Sequence, residues 1–120
     1  MTVGQIIKDA RKRAGLSLKD LSARILKEDG TPISIPYLND IERDRRNPPS
    51  PALLRQFAAV LGVSFEHLLY LTGELPEDVR GGSYSTARIE AAYEAFRRTL
   101  QEHGDTSADT SLEPADTSRD

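Results

Sequence analysis

SLKDLSARILKEDGTPISIPYLNDIERDRR, residues 17–46, holds two capped helical segments joined by a turn. Ser17 suits an N-cap, and Asp20 three residues on favours the positive end of the helix dipole. Leu18, Leu21, Ile25 and Leu26 then form an apolar face. That pattern predicts a helix reaching to near Glu28, because Asp29-Gly30-Thr31-Pro32 is turn chemistry. Ser34 caps a second, short helix running to about Arg43, with Ile35 and Pro36 at its first positions, where a missing N–H costs nothing. Leu38 and Ile41 face inward, and Arg43, Arg45 and Arg46 follow directly. A short helix with an open N-terminus and flanking arginines suits a DNA major groove, which admits one helix while the arginines grip phosphates on either side.

The same signals continue outward in both directions. Upstream, Val3, Ile6, Ile7, Ala10 and Ala14 recur at helical spacing, Thr2 and Gln5 have the form of a capping box, and Gly15 supplies a stop. Downstream, Asn47-Pro48-Pro49-Ser50-Pro51 is a rigid connector ending in a Ser cap and a Pro at the first helical position. Leu53, Leu54, Phe57, Ala58 and Leu61 give a fourth apolar face closed by Gly62. Ser64 caps a fifth helix with Phe65, Leu68, Leu69 and Leu71, ended by Thr72-Gly73. Five short helices without a strand signal predict a compact all-α domain over residues 1–75.

Residues 76–104 hold Leu75-Pro76 at their border, the flexible Gly81-Gly82-Ser83, and a sixth helix from about Thr86 to His103. Its Ile89, Tyr93, Phe96 and Leu100 form one continuous apolar stripe. The stripe has two readings, packing on its own domain or pairing with its twin across a two-fold axis, and the second is favoured, since dimers of such proteins reach major-groove faces about 34 Å apart. Residues 105–120, rich in Asp, Thr and Ser, have almost nothing to bury and are expected to form a disordered acidic tail.

Charge sharpens this division. The 120 residues carry 16 Lys and Arg against 19 Asp and Glu, a net of −3, which by itself argues against a nucleic-acid partner. Residues 1–75 hold 11 against 9, whereas residues 76–120 hold 5 against 10, so the excess acid lies at the C-terminal end. With no cysteine and only His67 and His103, disulfides, thiolate chemistry, zinc-finger ligands and metal centres all lack their residues, and no cofactor is expected. His67 reads as structural, beside Leu68 and Leu69, and His103 suits the end of a helix dipole. No apolar run approaches the ~20 residues of a membrane helix. MTVGQIIKD lacks the order of a signal peptide, and the cytoplasm is the expected compartment. No catalytic triad, phosphate-cradling glycine loop or apolar cleft with paired carboxylates can be assembled, so no enzyme is expected.

GLSLKDLSARI and SIPYLNDIERDRRNPPSPALLRQFAAVLGVSFEHLLYLTG together resemble the phage-repressor-like helix-turn-helix family, also called the Cro or Xre family. The resemblance spans about Val3 to Gly73. It rests on Arg11, the Leu-Ser-Leu-Lys-Asp-Leu opening, Tyr37-Leu38-x-x-Ile41-Glu42-Arg43, the Pro48-Pro49 connector, and the run from Leu53 to Val63. It implies that helix two braces the DNA backbone and that helix three is the recognition helix. By position, the base-reading side chains fall on Ser34, Ile35, Pro36, Asn39 and Asp40. Ile35 and Pro36 offer apolar contact to a thymine methyl, Asp40 can accept from cytosine, and Asn39 can pair with adenine. Lys19, Tyr37, Arg43, Arg45 and Arg46 are better placed for phosphates. The family's ion pair between helices one and three maps onto Arg11 and Glu42, as a structural pair.

One departure stands out. The family's turn is about four residues long, whereas Arg24 to Ile33 intervene here. Helix two is expected to gain about a turn, with a Gly-Thr-Pro loop returning the chain and Ile33 plugging the core. The function implied is a sequence-specific DNA-binding transcriptional regulator, a repressor by preference, acting as a homodimer on an inverted repeat. The alternative is a protein-interaction module, such as an antitoxin or accessory subunit that holds a partner protein.

Overall fold

The computed structural model describes residues 1–102, so the expected tail at 105–120, and His103, lie outside the described residues. Among the described residues the chain forms seven α-helices and no strand. They are α1 (Val3–Arg13), α2 (Leu18–Ser22), α3 (Ile35–Glu42), α4 (Pro51–Leu61), α5 (Phe65–Thr72), α6 (Glu77–Arg80) and α7 (Thr86–Gln101). The fold is all-α, and α7 is the sixth helix of the sequence reading.

Helix starts follow from hydroxyl caps. Thr2, Ser17, Ser34, Ser50, Ser64 and Ser85 each accept a hydrogen bond from the backbone N–H three residues on, meeting a donor the first turn leaves open. Gln5 and Asp20 reach back to complete capping boxes. The Ser17 backbone N–H, then its hydroxyl, holds the Asp20 carboxyl below the usual carboxylate range. Helix α1 ends in a Schellman turn: Gly15, at φ 73°, donates to Lys12 O, and Leu16 donates to Arg11 O.

Ile7, Leu21, Ile25, Leu38, Leu54, Phe57 and Leu68 are wholly buried and form the centre of one core to which α1 to α5 each contribute. Burial of such side chains stabilises by about 1.5–3 kcal/mol each. Helix α1 packs on α3, α4 and α5, α2 on α3, and α4 on α5. Thus α3 is wedged from behind while its opposite face is left outward.

Helix α2 is shorter than its periodicity predicts. It ends at Ser22, with Ala23 as C-cap, and the chain does not continue as helix to Glu28. Residues 25–33 instead fold back as a narrow hairpin. Leu26 and Pro32 pair as an antiparallel bridge, Lys27 N–H donates to Thr31 O at 2.7 Å, and Ile33 N–H donates to Ile25 O at 2.9 Å. At the tip Gly30 takes φ 86°. Asp29 accepts from the Thr31 hydroxyl at 2.6 Å and its N–H at 3.0 Å, bonds that hold its carboxyl below the usual range.

The physical reason lies at the base of the hairpin. Ile25 and Ile33 end its two arms, and both are buried, as Ile33 was expected to be. β-Branched residues fit an extended arm as well as a helix face. The side-chain amide of Gln56, on α4, closes the arrangement by accepting from Leu26 N–H at 2.7 Å and donating to Leu26 O at 2.8 Å. Leu26, expected on an apolar helix face, is therefore 42% exposed.

The structure divides into two units, one from Met1 to Arg80 and the other from Gly81 on, whereas the sequence reading set the border at 75/76. The short α6 accounts for the difference. Arg80 pairs with Glu74 and donates to Leu75 O at 3.2 Å, and its N–H donates to Pro76 O. Glu77 and Asp78 in its first turn and Arg80 in its last complement the helix dipole.

In the second unit, α7 starts at the Ser85 cap and has no buried residue. Ile89, Tyr93, Phe96 and Leu100 are 44–53% exposed. No helix of the described residues is long and apolar enough to cross a membrane, and no group of three metal-ligating side chains occurs among them.

Candidate nucleic-acid interface

Helix α3 turns one face into the core and leaves the other outward. Leu38 and Ile41 are buried, while Ser34, Ile35 and Pro36, in its first turn, are exposed, with Ile35 at 41%. One turn on, Asn39 and Asp40 are half-buried. All five residues expected to read bases therefore lie outside the core. The Ser34 hydroxyl accepts from Tyr37 N–H at 3.2 Å, and Pro36 removes a donor where none is needed.

The C-terminal end of α3 is tied to α1 twice. Arg11 donates bidentately to Glu42, from Nε at 2.7 Å and Nη2 at 3.0 Å, and its Nη1 donates to Leu16 O at 2.9 Å. The side chains are 11% and 3% exposed, so the fork geometry and the third bond offset the cost of burying both charges. The second tie is Asp44. It accepts from the Thr2 hydroxyl at 2.6 Å and from Gly4 N–H at 3.2 Å, adding a carboxylate to the positive end of α1. A Cβ on Gly4 would lie 2.4 Å from Ile41 O and 2.8 Å from Glu42 O, so this contact admits only glycine.

Asp44 also shapes the chain beyond α3. Its φ of 57° is the left-handed conformation that aspartate adopts more readily than most residues. Asp44 N–H donates to Ile41 O, and Arg45 N–H donates to Asp40 O at 2.9 Å, a Schellman turn with aspartate where glycine is usual.

That turn reverses the chain and returns Arg46 to α3. Its guanidinium carbon lies 5.1 Å from the Tyr37 ring centroid, and its Nε donates to Asp40 Oδ2 at 3.2 Å. Arg46, an expected phosphate contact, thus meets two other expected site residues, Tyr37 and Asp40, the second an expected base acceptor. Arg43 and Arg45 are exposed and, with Lys19 on α2, have no carboxylate within 4.0 Å among the described residues. Tyr37 is partly buried against the core.

Sequence reasoning missed Asp44, Gly4 and Gln56. An aspartate directly after a helix, in Glu42-Arg43-Asp44-Arg45, is a signal for a left-handed stop; Gly4 and Gln56 carry no local signal, because their partners are distant in sequence.

A helix-turn-helix family model matches residues 7–68 of this chain, from the middle of α1 to α5, which include α2, the hairpin and α3. The chain belongs to the Cro/Xre-type helix-turn-helix family, a family of DNA-binding transcriptional regulators. It is similar to the uncharacterized HTH-type transcriptional regulator RghRB of Bacillus subtilis, with 27% identity over 103 residues, or 83% of this chain and 70% of that protein. It is also similar to the HTH-type transcriptional regulator DdrOP3 of Deinococcus deserti, with 35% identity over 69 residues, or 58% of this chain and 48% of that protein. Among solved structures, a chain of a SinR protein/SinI protein complex aligns over 82% of this chain and 99% of its own at 30% identity, with a TM-score of 0.48. In this helix-turn-helix chain α2, the hairpin and α3 follow one another within the matched residues.

Proposed function

We propose that this protein is a sequence-specific transcriptional repressor of the cytoplasm that binds an inverted-repeat operator as a homodimer, with α3 in the major groove. One observation carries the reading: α3 leaves its first turn exposed, and the exposed Arg43 and Arg45 at its far end have no carboxylate within 4.0 Å among the described residues, while in the proposed docking Lys19 on α2 serves the other flank. A groove-inserted helix needs cations on both flanks to meet the two phosphate strands. In this docking Ser34, Ile35, Pro36, Asn39 and Asp40 meet base edges, while Lys19, Tyr37, Arg43, Arg45 and Arg46 meet the backbone. The exposed stripe of α7 supports pairing with a second copy, and a helix-turn-helix dimer on an inverted repeat meets successive major-groove faces about 34 Å apart. Occupancy of such a site by a dimer excludes other proteins from it, hence repression.

Selection of bound duplexes from a random pool, followed by titration of the enriched sequence at several salt concentrations, tests the reading. A two-fold symmetric site should emerge, and Arg43→Ala should weaken binding to all duplexes alike and lower the salt slope by about one. A pool without enrichment, and no salt-dependent binding to any duplex, overturns it.

A further inference from the structure

The pairing of Asp40 with Arg46 is unlike the rest of the basic rim. Arg43 and Arg45 have no carboxylate within 4.0 Å among the described residues, but Arg46 is held by two partners, the Asp40 carboxylate at 3.2 Å and the Tyr37 ring at 5.1 Å. The hold is built into the backbone, since the Asp44 turn bonds Arg45 N–H to the carbonyl of Asp40 itself and so delivers the next residue to its side chain. Both partners remain accessible, with the Arg46 side chain 54% and the Asp40 side chain 29% exposed. An ion pair of this kind is weak and exchangeable.

We propose that Asp40 is a specificity residue that acts through Arg46, withholding one phosphate contact from DNA that lacks the right base. The proposal rests on the docking of α3 described above. An ionised aspartate only accepts hydrogen bonds. In the major groove it finds donors at the N4 amine of cytosine and the N6 amine of adenine, and repulsion at the N7, O6 and O4 acceptors. Opposite an amine donor, the carboxylate exchanges Arg46 for the base, and the guanidinium moves to the phosphate strand. Opposite an acceptor, the carboxylate stays with Arg46. A correct base therefore gains a base contact and a phosphate contact together, and a wrong base forfeits both. Tyr37 keeps the guanidinium near the strand in either state. Selectivity obtained by withholding an attraction from the wrong partner is cheaper for a domain of low net charge than a broad positive field.

The test is a double-mutant cycle on the full chain, with Asp40→Asn, Arg46→Ala and the double variant titrated against a selected operator and a scrambled duplex of the same length. Asp40→Asn keeps the shape and removes the charge. Its affinity for the scrambled duplex should rise about two- to fivefold, the range open to an exposed ion pair, and its salt slope by about one. Discrimination between the two duplexes should fall by about tenfold. In the Arg46→Ala background, the same substitution should leave the scrambled-duplex affinity unchanged. An equal rise in that background shows only the removal of a negative charge near DNA, and overturns the proposal. A fall in the Asp40→Asn single variant shows that Asp40 positions Arg46 for phosphate, and also overturns it. Wild-type protein that binds neither duplex defeats the docking of α3 instead. Superimposable thermal melts of all four proteins confirm that folding is not the variable.

Discussion

The Arg11–Glu42 pair shows how one buried charge depends on another. Because both side chains lie out of water and three hydrogen bonds converge on the guanidinium, Arg11→Ala leaves Glu42 buried without a counter-ion. The expected loss is about 3–5 kcal/mol, read from urea unfolding. An unfolding midpoint equal to that of the wild type would remove the pair from the stability of the fold. Asp44 combines two effects that substitutions separate. Asn keeps an acceptor and tolerates φ 57°, Gly relieves the backbone but drops both hydrogen bonds to α1, and Ala drops the bonds and keeps the strain. Stability should therefore descend in the order Asp, Asn, Gly, Ala, with Ala about 2 kcal/mol below the wild type. An alanine variant as stable as the glycine one would show that the backbone conformation costs nothing.

The hairpin at residues 25–33 stands between α2 and α3, and Ser34, the cap of α3, follows it directly. The hairpin is fastened to α4 through Gln56, so Gln56 helps hold the chain that leads into α3, although it lies outside the face proposed to meet DNA. Gln56→Ala frees two backbone groups of Leu26 that water can reach, which should cost about 1 kcal/mol of stability. Affinity for a selected operator should fall several-fold more than affinity for a scrambled duplex, because base contacts depend on the angle of α3 and phosphate contacts less so. Equal loss on both duplexes would mean that the hairpin has no part in aiming the helix. The hairpin also shows how a lengthened turn is accommodated. Extra residues leave the domain as a self-paired loop, and the buried isoleucines at its base keep α2 and α3 in contact.

Affinity for an operator depends on how many half-sites are held at once. A domain with 11 basic and 9 acidic residues over positions 1–75 gains little from its overall field, so in the proposed dimer a few placed cations and the pairing of two copies supply the difference. Tyr93→Asp together with Leu100→Asp places charge in the exposed stripe of α7 and should convert a dimer to a monomer in sedimentation. Operator affinity should fall by about a hundredfold or more as the avidity of two linked contacts is lost, with base preference at each half-site retained. A double variant that still sediments as a dimer would move the dimer contact away from α7.

Local rules made much of this protein readable from its residues. Hydroxyl caps, glycine stops and apolar spacing located α1, α3, α4, α5 and α7, because each signal acts over three or four positions and needs no distant partner. The outward face of α3 and the basic rim were readable for the same reason, and the family resemblance pointed to Arg11 and Glu42. Tertiary structure alone decided the end of α2, since LSARILKE satisfies a helical period, and only the core site for Ile33 and the amide of Gln56, 30 residues from Leu26, make the hairpin the better solution. The same holds for Gly4 against the end of α3, for Asp44 across 42 residues to Thr2, and for the return of Arg46 to Asp40. Periodicity records which face of a segment avoids water; it does not record which distant backbone groups and charges that face will meet once the segments pack.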